Sequence, residues 1–447
     1  MSPLIRAAER TFSSLRIRNF RLYFIGQIIS MAGTWGQSVA QMWLVYELSG
    51  SEAALGLVTA LQFSPVLVAG MWGGVIADRF DKRKVLVVAQ SIYAGLALTL
   101  GLVTATGVVE LWMVFALAFG LGCVSSFEVP TRQSFTVEMV GPDQLTNAVG
   151  LNSTIFTSAR VMGPAIAGVL ISTVGIAWCF LLNAASFLAV IAGLVLMDPD
   201  DLMPAAPAGK AKGQLREALR YVWHTPVLRS TMGMIALIGT LAFNFRVLLP
   251  VMAKVEFGGG AGTYGALSAF MGGGTMIGAL YVAGRRAPTR RFLIGAAFAY
   301  GVFILAAGAA PALGLEFAAL VPMGAAGIAF VATANSTLQL NASDAMRGRV
   351  MALYSVVFLG TTPIGSPIVG WMADAVGARA GFVLSAVACL AACAWGLKVG
   401  PEGGRAPAPG TEIPAVASTP EDVEPGPSGG APAYGRLRSA VRFALRR

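Results

Sequence analysis

The sequence predicts an all-α membrane protein, with twelve transmembrane helices arranged as two pseudo-symmetric six-helix bundles. Three observations carry that expectation. Of the 447 residues, 56% are hydrophobic and only 12% are charged, about half the charged share of an ordinary soluble domain, and the mean hydropathy is +0.70. Apolar runs of about 20 residues, enough to cross about 30 Å of hydrocarbon, recur along the chain. The second half also repeats the first.

The runs cover residues 20–44, 54–77, 85–107, 111–130, 148–172 and 176–197, then 227–253, 261–283, 292–310, 315–337, 350–373 and 379–399. They divide the chain into a cytoplasmic N-terminal segment 1–19, a first bundle 20–197, a linker 198–226 rich in Pro, Ala, Gly and charge, a second bundle 227–399, and a tail 400–447. Gly163, Gly168, Gly175, Phe180 and Ala184 recur 202 positions later as Gly365, Gly370, Gly377, Phe382 and Ala386. A constant offset across a helix, its turn and the next helix marks a parallel repeat, an architecture in which a transporter holds its site at the midplane between the halves. The first run starts too far into the chain, and is too long, for a cleavable signal peptide. The tail is too poor in large apolar residues to bury a core and is expected to be disordered. Its end, 434–447, spaces Leu437, Val441 and Leu445 four apart beside Arg438, Arg442 and Arg446, as a basic amphipathic helix on anionic lipid or a solvated tail would.

The formal net charge of +10 does not imply nucleic acid, because 28 of the 32 Lys and Arg fall on alternate loops and the termini, among them Arg79 to Lys84 and Arg285 to Arg291. The opposite loops hold only Lys254 and Arg379, and Arg160 and Arg246 lie within spans. The positive-inside rule then puts both termini in the cytoplasm, which requires an even number of spans.

Enzyme chemistry is not expected. One His and four Cys cannot build a metal or disulfide framework, so neither a metal nor a cofactor is expected. Cys123, Cys179, Cys389 and Cys393 read as small apolar side chains, and His224 follows Trp223 in a polar connection. The phosphate-binding pattern Gly-x4-Gly-Lys-Ser/Thr is absent from the sequence. An ion gradient or the substrate's own gradient is left as the energy source.

Polar residues inside spans are the candidate site. Arg160 lies about 12 residues into the fifth run, about 18 Å at 1.5 Å per residue, where a charge is costly and faces a cavity or a partner. It reads as substrate-binding, with hydrogen bonds to carbonyls or Gln side chains as the structural alternative. Arg246 is a second such candidate, nearer the far surface. Gln37 and Gln41, one turn apart with Ser38 beside them, read as cavity lining, and Asn152 joins them. Asn183, Asn244 and Asn335 add amides whose commoner use is to join helices. None of the 22 acidic residues falls mid-span. Glu128, near the cytoplasmic mouth of the fourth run, is the leading proton carrier, and a salt bridge to Arg132 one turn on is the alternative. In Arg160-Val-Met-Gly163-Pro164-Ala-Ile-Ala-Gly168, the Pro bends the helix and the Gly residues allow close helix packing.

Between the second and third runs stands Gly74-Val-Ile-Ala-Asp78-Arg79-Phe80-Asp81-Lys82-Arg83-Lys84. This resembles the signature loop of the major facilitator superfamily, with Asp81 where the family usually has a second Gly. The resemblance implies the major facilitator fold, and it implies that Gly74, Asp78, Arg79 and Arg83 form a cytoplasmic gate against the start of the eleventh helix near Arg349 and Val350. An Asp at a helix end can also cap a neighbouring helix N-terminus, whatever the family. The segment around Gly163 resembles the end of a motif of the superfamily's antiporters, which favours export. Leu15 to Tyr23, with Pro130, Arg132, Gln133, Asn147, Ala148 and Asn152, is similar to the branch of enterobactin exporters and macrolide efflux proteins. The resemblance covers residues 15–399.

What it implies is a multi-pass transporter of the bacterial inner membrane, working as a monomer among lipids. A proton would enter as a siderophore, drug or similar amphiphilic small molecule leaves. A facilitator or importer of a lipid-like or nutrient solute remains open because acidic coupling residues are scarce. A non-transporting sensor or scaffold is the third reading, and Arg160 and the Pro- and Gly-rich helices weigh against it.

Overall fold

The computed structural model describes residues 11–203, 214–285 and 288–399, with only the backbone described at 70–78, 214–215, 344–345 and 359. The side chain of Asp78 and the surroundings of Gly74, with the whole of the tail from 400, lie outside the described residues. After a 3-10 turn, Ser13–Arg16, come α1 (Arg18–Ser49), α2 (Glu52–Arg79), α3 (Lys82–Ala105), α4 (111–140), α5 (142–173) and α6 (Ala177–Val195). Beyond the first half come α7 (Gln214–His224), α8 (Pro226–Leu241), α9 (Phe245–Val251) with a π-turn over Met252–Glu256, and α10 (Ala261–Ala283). The chain continues as α11 (Arg290–Gly308), α12 (Leu313–Asn341), α13 (Asp344–Gly360), α14 (Thr362–Val376) and α15 (Ala378–Val399). Ten stretches among the described residues are long and apolar enough to span a bilayer. One of them, 111–173, turns back at Gly141 (φ 68°) and contains two passes. With the more polar α1, this is consistent with the twelve expected.

Several boundaries differ from the sequence expectation, and each has a local cause. The connection between the fourth and fifth runs is helical except at Gly141, where positive φ followed by Pro142 reverses the chain. The seventh run is broken at 242–244 rather than continuous. Asn244 turns its side chain back on Thr240 O (2.7 Å), competing with the helix. The freed carbonyls find partners, Ala242 O from Tyr300 Oη (3.2 Å) and Leu241 O from Ser385 Oγ (2.8 Å), as a break at membrane depth requires. The eleventh run breaks at Thr361, just before Pro363, which has no N–H to continue the ladder. The linker is not wholly a polar connection, since α7 buries Ala218 and Val222 and Glu217 pairs with Arg349 (2.6 Å).

The repeat seen in the sequence is a repeat of packing. Arg83 at the start of α3 donates to Leu194 O (2.6 Å) and Val195 O (2.7 Å) at the end of α6. Arg290, at the start of α11, donates to Gly396 O and Leu397 O (both 2.9 Å) at the end of α15. Each cation thereby satisfies carbonyls that a helix C-terminus leaves open. Gly175 and Gly377 both take positive φ, 100° and 107°. Gly163 lies against Trp35 and Ala32 of α1, and Gly365 against Thr240 of α8.

The two halves meet closely at the end of the molecule opposite the basic loops. A Cβ on Gly56 would come within 2.5 Å of Ser366 O, and one on Gly265 within 2.7 Å of Pro164 O. The α2–α14 and α5–α10 backbones therefore touch. Asp374 Oδ1 accepts from Ser51 Oγ (3.0 Å) and from Glu52 N (3.1 Å) across the same seam, and Trp43 stacks on Tyr264 at 6.3 Å. Gly365→Ala would drive a methyl into the Thr240 carbonyl, and overpacking of this kind costs about 1–3 kcal/mol. It is expected to lower the thermal midpoint of the purified protein in detergent by several degrees. Gly295→Ala, with nothing within 4 Å, is expected to leave the midpoint unchanged or raise it slightly.

Candidate functional site

A cavity of 390 Å³ lies between the two halves, within the range of small-molecule sites. The first half contributes Trp35 and Ser38 from α1, Thr59 and Phe63 from α2, and Phe156, Arg160 and Pro164 from α5. Across from them stand Phe243, Asn244 and Arg246 at the α8–α9 break, Tyr264 and Ser268 from α10, Tyr300 from α11, and Phe358 and Ser366 flanking the α13–α14 break. Both broken helices therefore border the cavity. The break at 242–244 turns Arg246 into it, and Ser366 Oγ donates to Asn244 Oδ1 (2.7 Å) to fix the turn.

Arg160 and Arg246 come from different halves and meet on one ring. Each guanidinium carbon sits 5.3 Å from the centroid of Trp35, a cation–π distance, so the two are at most 10.6 Å apart, twice 5.3 Å. Arg246 also lies 5.8 Å from Phe63, and Phe156 meets Trp35 edge-on at 5.6 Å. No Asp or Glu is among the described residues lining the cavity. At an effective dielectric of about 20, two unit charges no farther apart than this repel by at least about 1.5 kcal/mol. The arrangement is an aromatic chamber carrying two charges of one sign.

The other candidate residues lie elsewhere. Gln37 Oε1 accepts from Asn183 Nδ2 (2.7 Å), joining α1 to α6, and neither Gln37, Gln41 nor Asn152 is among the cavity-lining residues. Ser38, beside the Gln pair, does line it. Gly163 and Gly168 pack α5 against α1 and α10, and Pro164 borders the cavity. Glu128 is buried and accepts from Arg132 Nε (2.9 Å), forming an ion pair one helical turn long. Arg79 is exposed at the end of α2. His224 Nδ1 is 2.8 Å from Arg220 O at the end of α7.

Several groups, or the contacts they make, escaped the sequence reading. Trp35 and the aromatic wall of Phe243, Tyr300 and Phe358 carry no motif, and only their mid-span positions hint at them. Glu316, in the first turn of α12, is fully buried with no hydrogen-bond partner at either carboxylate oxygen. Lys82 pairs with Glu138 at 2.5 Å. Asn147 accepts from Ser14 N (3.1 Å) and Ser14 Oγ (2.6 Å) and donates to Thr11 O (2.9 Å), tying the chain's start to α5.

Comparison with known proteins agrees with this architecture. A family model described as transmembrane secretion effector, of the major facilitator class, matches residues 9–406. The multidrug efflux pump Tap of Mycobacterium tuberculosis is 28% identical over 82% of this chain and 90% of that protein. The enterobactin exporter EntS of Citrobacter koseri is 27% identical over 78% of this chain and 84% of its own length. An uncharacterized major-facilitator-type transporter of Bacillus subtilis, YfiS, is 28% identical, although the match spans 45% of this chain and about half, 48%, of that protein. Among solved structures, a bacterial homolog of the human lysosomal transporter Spinster, inward-facing and unoccupied, superposes with a TM-score of 0.67 at 16% identity. It covers 85% of this chain and 95% of its own, which speaks to the fold. The chain belongs to the transmembrane secretion effector family of major facilitator transporters, and it is not an enzyme.

The Glu128–Arg132 pair yields a stability test. Breaking a buried pair strands its partner at a cost of about 3–5 kcal/mol, reduced here because the Arg132 side chain is 30% exposed. Glu128→Gln alone is expected to lower stability by about 1–3 kcal/mol in thermal unfolding. The double change Glu128→Gln with Arg132→Gln is expected to recover part of that loss.

Proposed function

We propose that this family member is a secondary transporter that exports a siderophore, a drug or a similar amphiphilic small molecule by alternating access. The carrying observation is the cavity between the halves, aromatic-walled and charged, capped at one end by direct backbone contact at Gly56 and Gly265. Efflux by the Tap pump and enterobactin export by EntS support the direction and the kind of cargo. The positive-inside rule assigns the basic loops and both termini to the cytoplasm, so the sealed end faces outward and this conformation is inward-facing. The membrane is the inner membrane of a bacterium, and the protein works as a monomer whose exposed apolar side chains are solvated by lipid.

In the opposite conformation, Gly74, Asp78 and Arg79 at the end of α2 close the basic end against α13, while Arg83 holds α3 to the end of α6. Glu128 is the proton carrier. Protonation would release Arg132, and deprotonation on the other side would restore the pair. A second reading has one observation in its favour. The lack of a carboxylate among the described lining residues fits a facilitator driven by the substrate's own gradient.

Inverted membrane vesicles separate the two. With an acid interior, uptake of a drug and siderophore panel is expected to exceed equilibrium and to fall to it when the gradient is collapsed. Glu128→Gln is expected to abolish the gradient-driven excess while leaving downhill movement, and Arg160→Ala is expected to reduce both at least tenfold. Uptake indifferent to the gradient in the unaltered protein would leave the facilitator.

A further inference from the structure

We propose that the cavity is built for an organic anion, an aromatic or amphiphilic molecule whose acid group bridges Arg160 and Arg246. The inference rests on the transporter reading above and narrows its cargo by charge. Three features of the cavity support it.

The first is the state of the two cations. A guanidinium stays charged in any protein environment and carries five N–H donors in a fixed fork that matches a carboxylate or phosphate. Neither Arg160 nor Arg246 makes an ion pair with the described residues, and what each has instead is the face of Trp35 at 5.3 Å. Stacking on a ring attracts a cation without neutralising it. Where an arginine has a structural role at a helix start in this protein it is bonded to carbonyls, as Arg83 and Arg290 are. At membrane depth, where a charge is costlier, a structural arginine needs such a partner more.

The second is the composition of the walls. Among the described lining residues, the polar groups other than the two arginines are neutral ones such as those of Ser38, Asn244 and Ser268. A cationic drug would meet like charge with no carboxylate among the described lining residues to neutralise it. An anion would meet two unsatisfied forks, and its apolar body would meet rings such as Phe156 and Tyr300.

The third is where the charges come from. Arg160 belongs to α5 of the first half and Arg246 to α9 of the second. When the site is empty, their repulsion pushes the halves apart on the cavity side of the seam. An acid group bound between them reverses the sign of that force and draws the halves together around the cargo. Occupancy is thereby linked to closure by charge alone, without a carboxylate among the described lining residues.

The test uses three ligands with one ring system: 2-naphthoate (anionic), 2-naphthamide (neutral) and 2-naphthylmethylammonium (cationic). Each is titrated calorimetrically into the purified full chain in non-ionic detergent, with buffer anions held low and constant. Naphthoate is expected to bind at least tenfold tighter than either analogue. Arg160→Gln and Arg246→Gln are each expected to cut naphthoate affinity about tenfold, and together to abolish the preference without weakening the amide. If the double variant does not fold, the three-ligand comparison on the unaltered protein decides alone. Naphthoate binding no tighter than the amide or the cation, including no binding at all, overturns the proposal. So does a preference that survives in a folded double variant. Vesicles that export nothing while the naphthoate preference stands would sink the export reading and leave this one intact.

Discussion

Lipid supplies no hydrophobic drive between helices, so what holds the two halves of this molecule together is close backbone contact through small residues. The seam at Gly56–Ser366 and Gly265–Pro164, supplemented by Asp374 on the start of α2, sets everything beneath it. It fixes where the cavity is capped and brings Arg246 of the second half within reach of Trp35 in the first. It also leaves the halves separable. A seam made of van der Waals contact and a few hydrogen bonds can be exchanged for another at the opposite end, whereas an interlocked core of large side chains could not.

The cavity is polar where the helices are interrupted. The break at 242–244 frees backbone carbonyls that would otherwise be locked in the ladder, and Tyr300, Ser385 and Asn244 take them up. At the second break the Thr361 hydroxyl donates to Val357 O (2.8 Å). Interrupted helices at membrane depth are tolerated only where protein or a cavity covers them. Here they do more than survive, since they place Phe243, Arg246 and Ser366 at the wall. Those three wall residues stand on segments that a continuous helix would have pointed elsewhere, opposite a wall supplied by the unbroken helices α1, α2 and α5.

Fold class was written in the sequence at several independent levels: hydrophobic run length, loop charge, and the 202-residue offset that reappears as paired contacts at Gly163 and Gly365. The helix breaks were not legible, because a hydropathy window responds to side-chain polarity and passes over one Asn or Pro that redirects the backbone. Arg160 and Arg246 stood out because a charge in an apolar run is costly. Their meeting on Trp35 did not, since sequence separation says nothing about two helices from different halves. The Gln pair shows the reverse failure. Gln37 shares a face with Gln41, but its amide is engaged by Asn183, and periodicity alone cannot tell a side chain facing a neighbour from one facing a cavity.

The most direct measurement is a pair of interspin distances in one lipid-embedded protein whose four native cysteines have been replaced. One pair, Asp143→Cys with Leu340→Cys, spans the halves at the basic end, and the other, Val108→Cys with Leu315→Cys, spans them at the sealed end. Alternating access about the glycine seam predicts two populations at each end, with the basic-end distance shortening under the conditions that lengthen the other. A single unchanging distance at both ends, at acid and alkaline pH and with or without naphthoate, would contradict it.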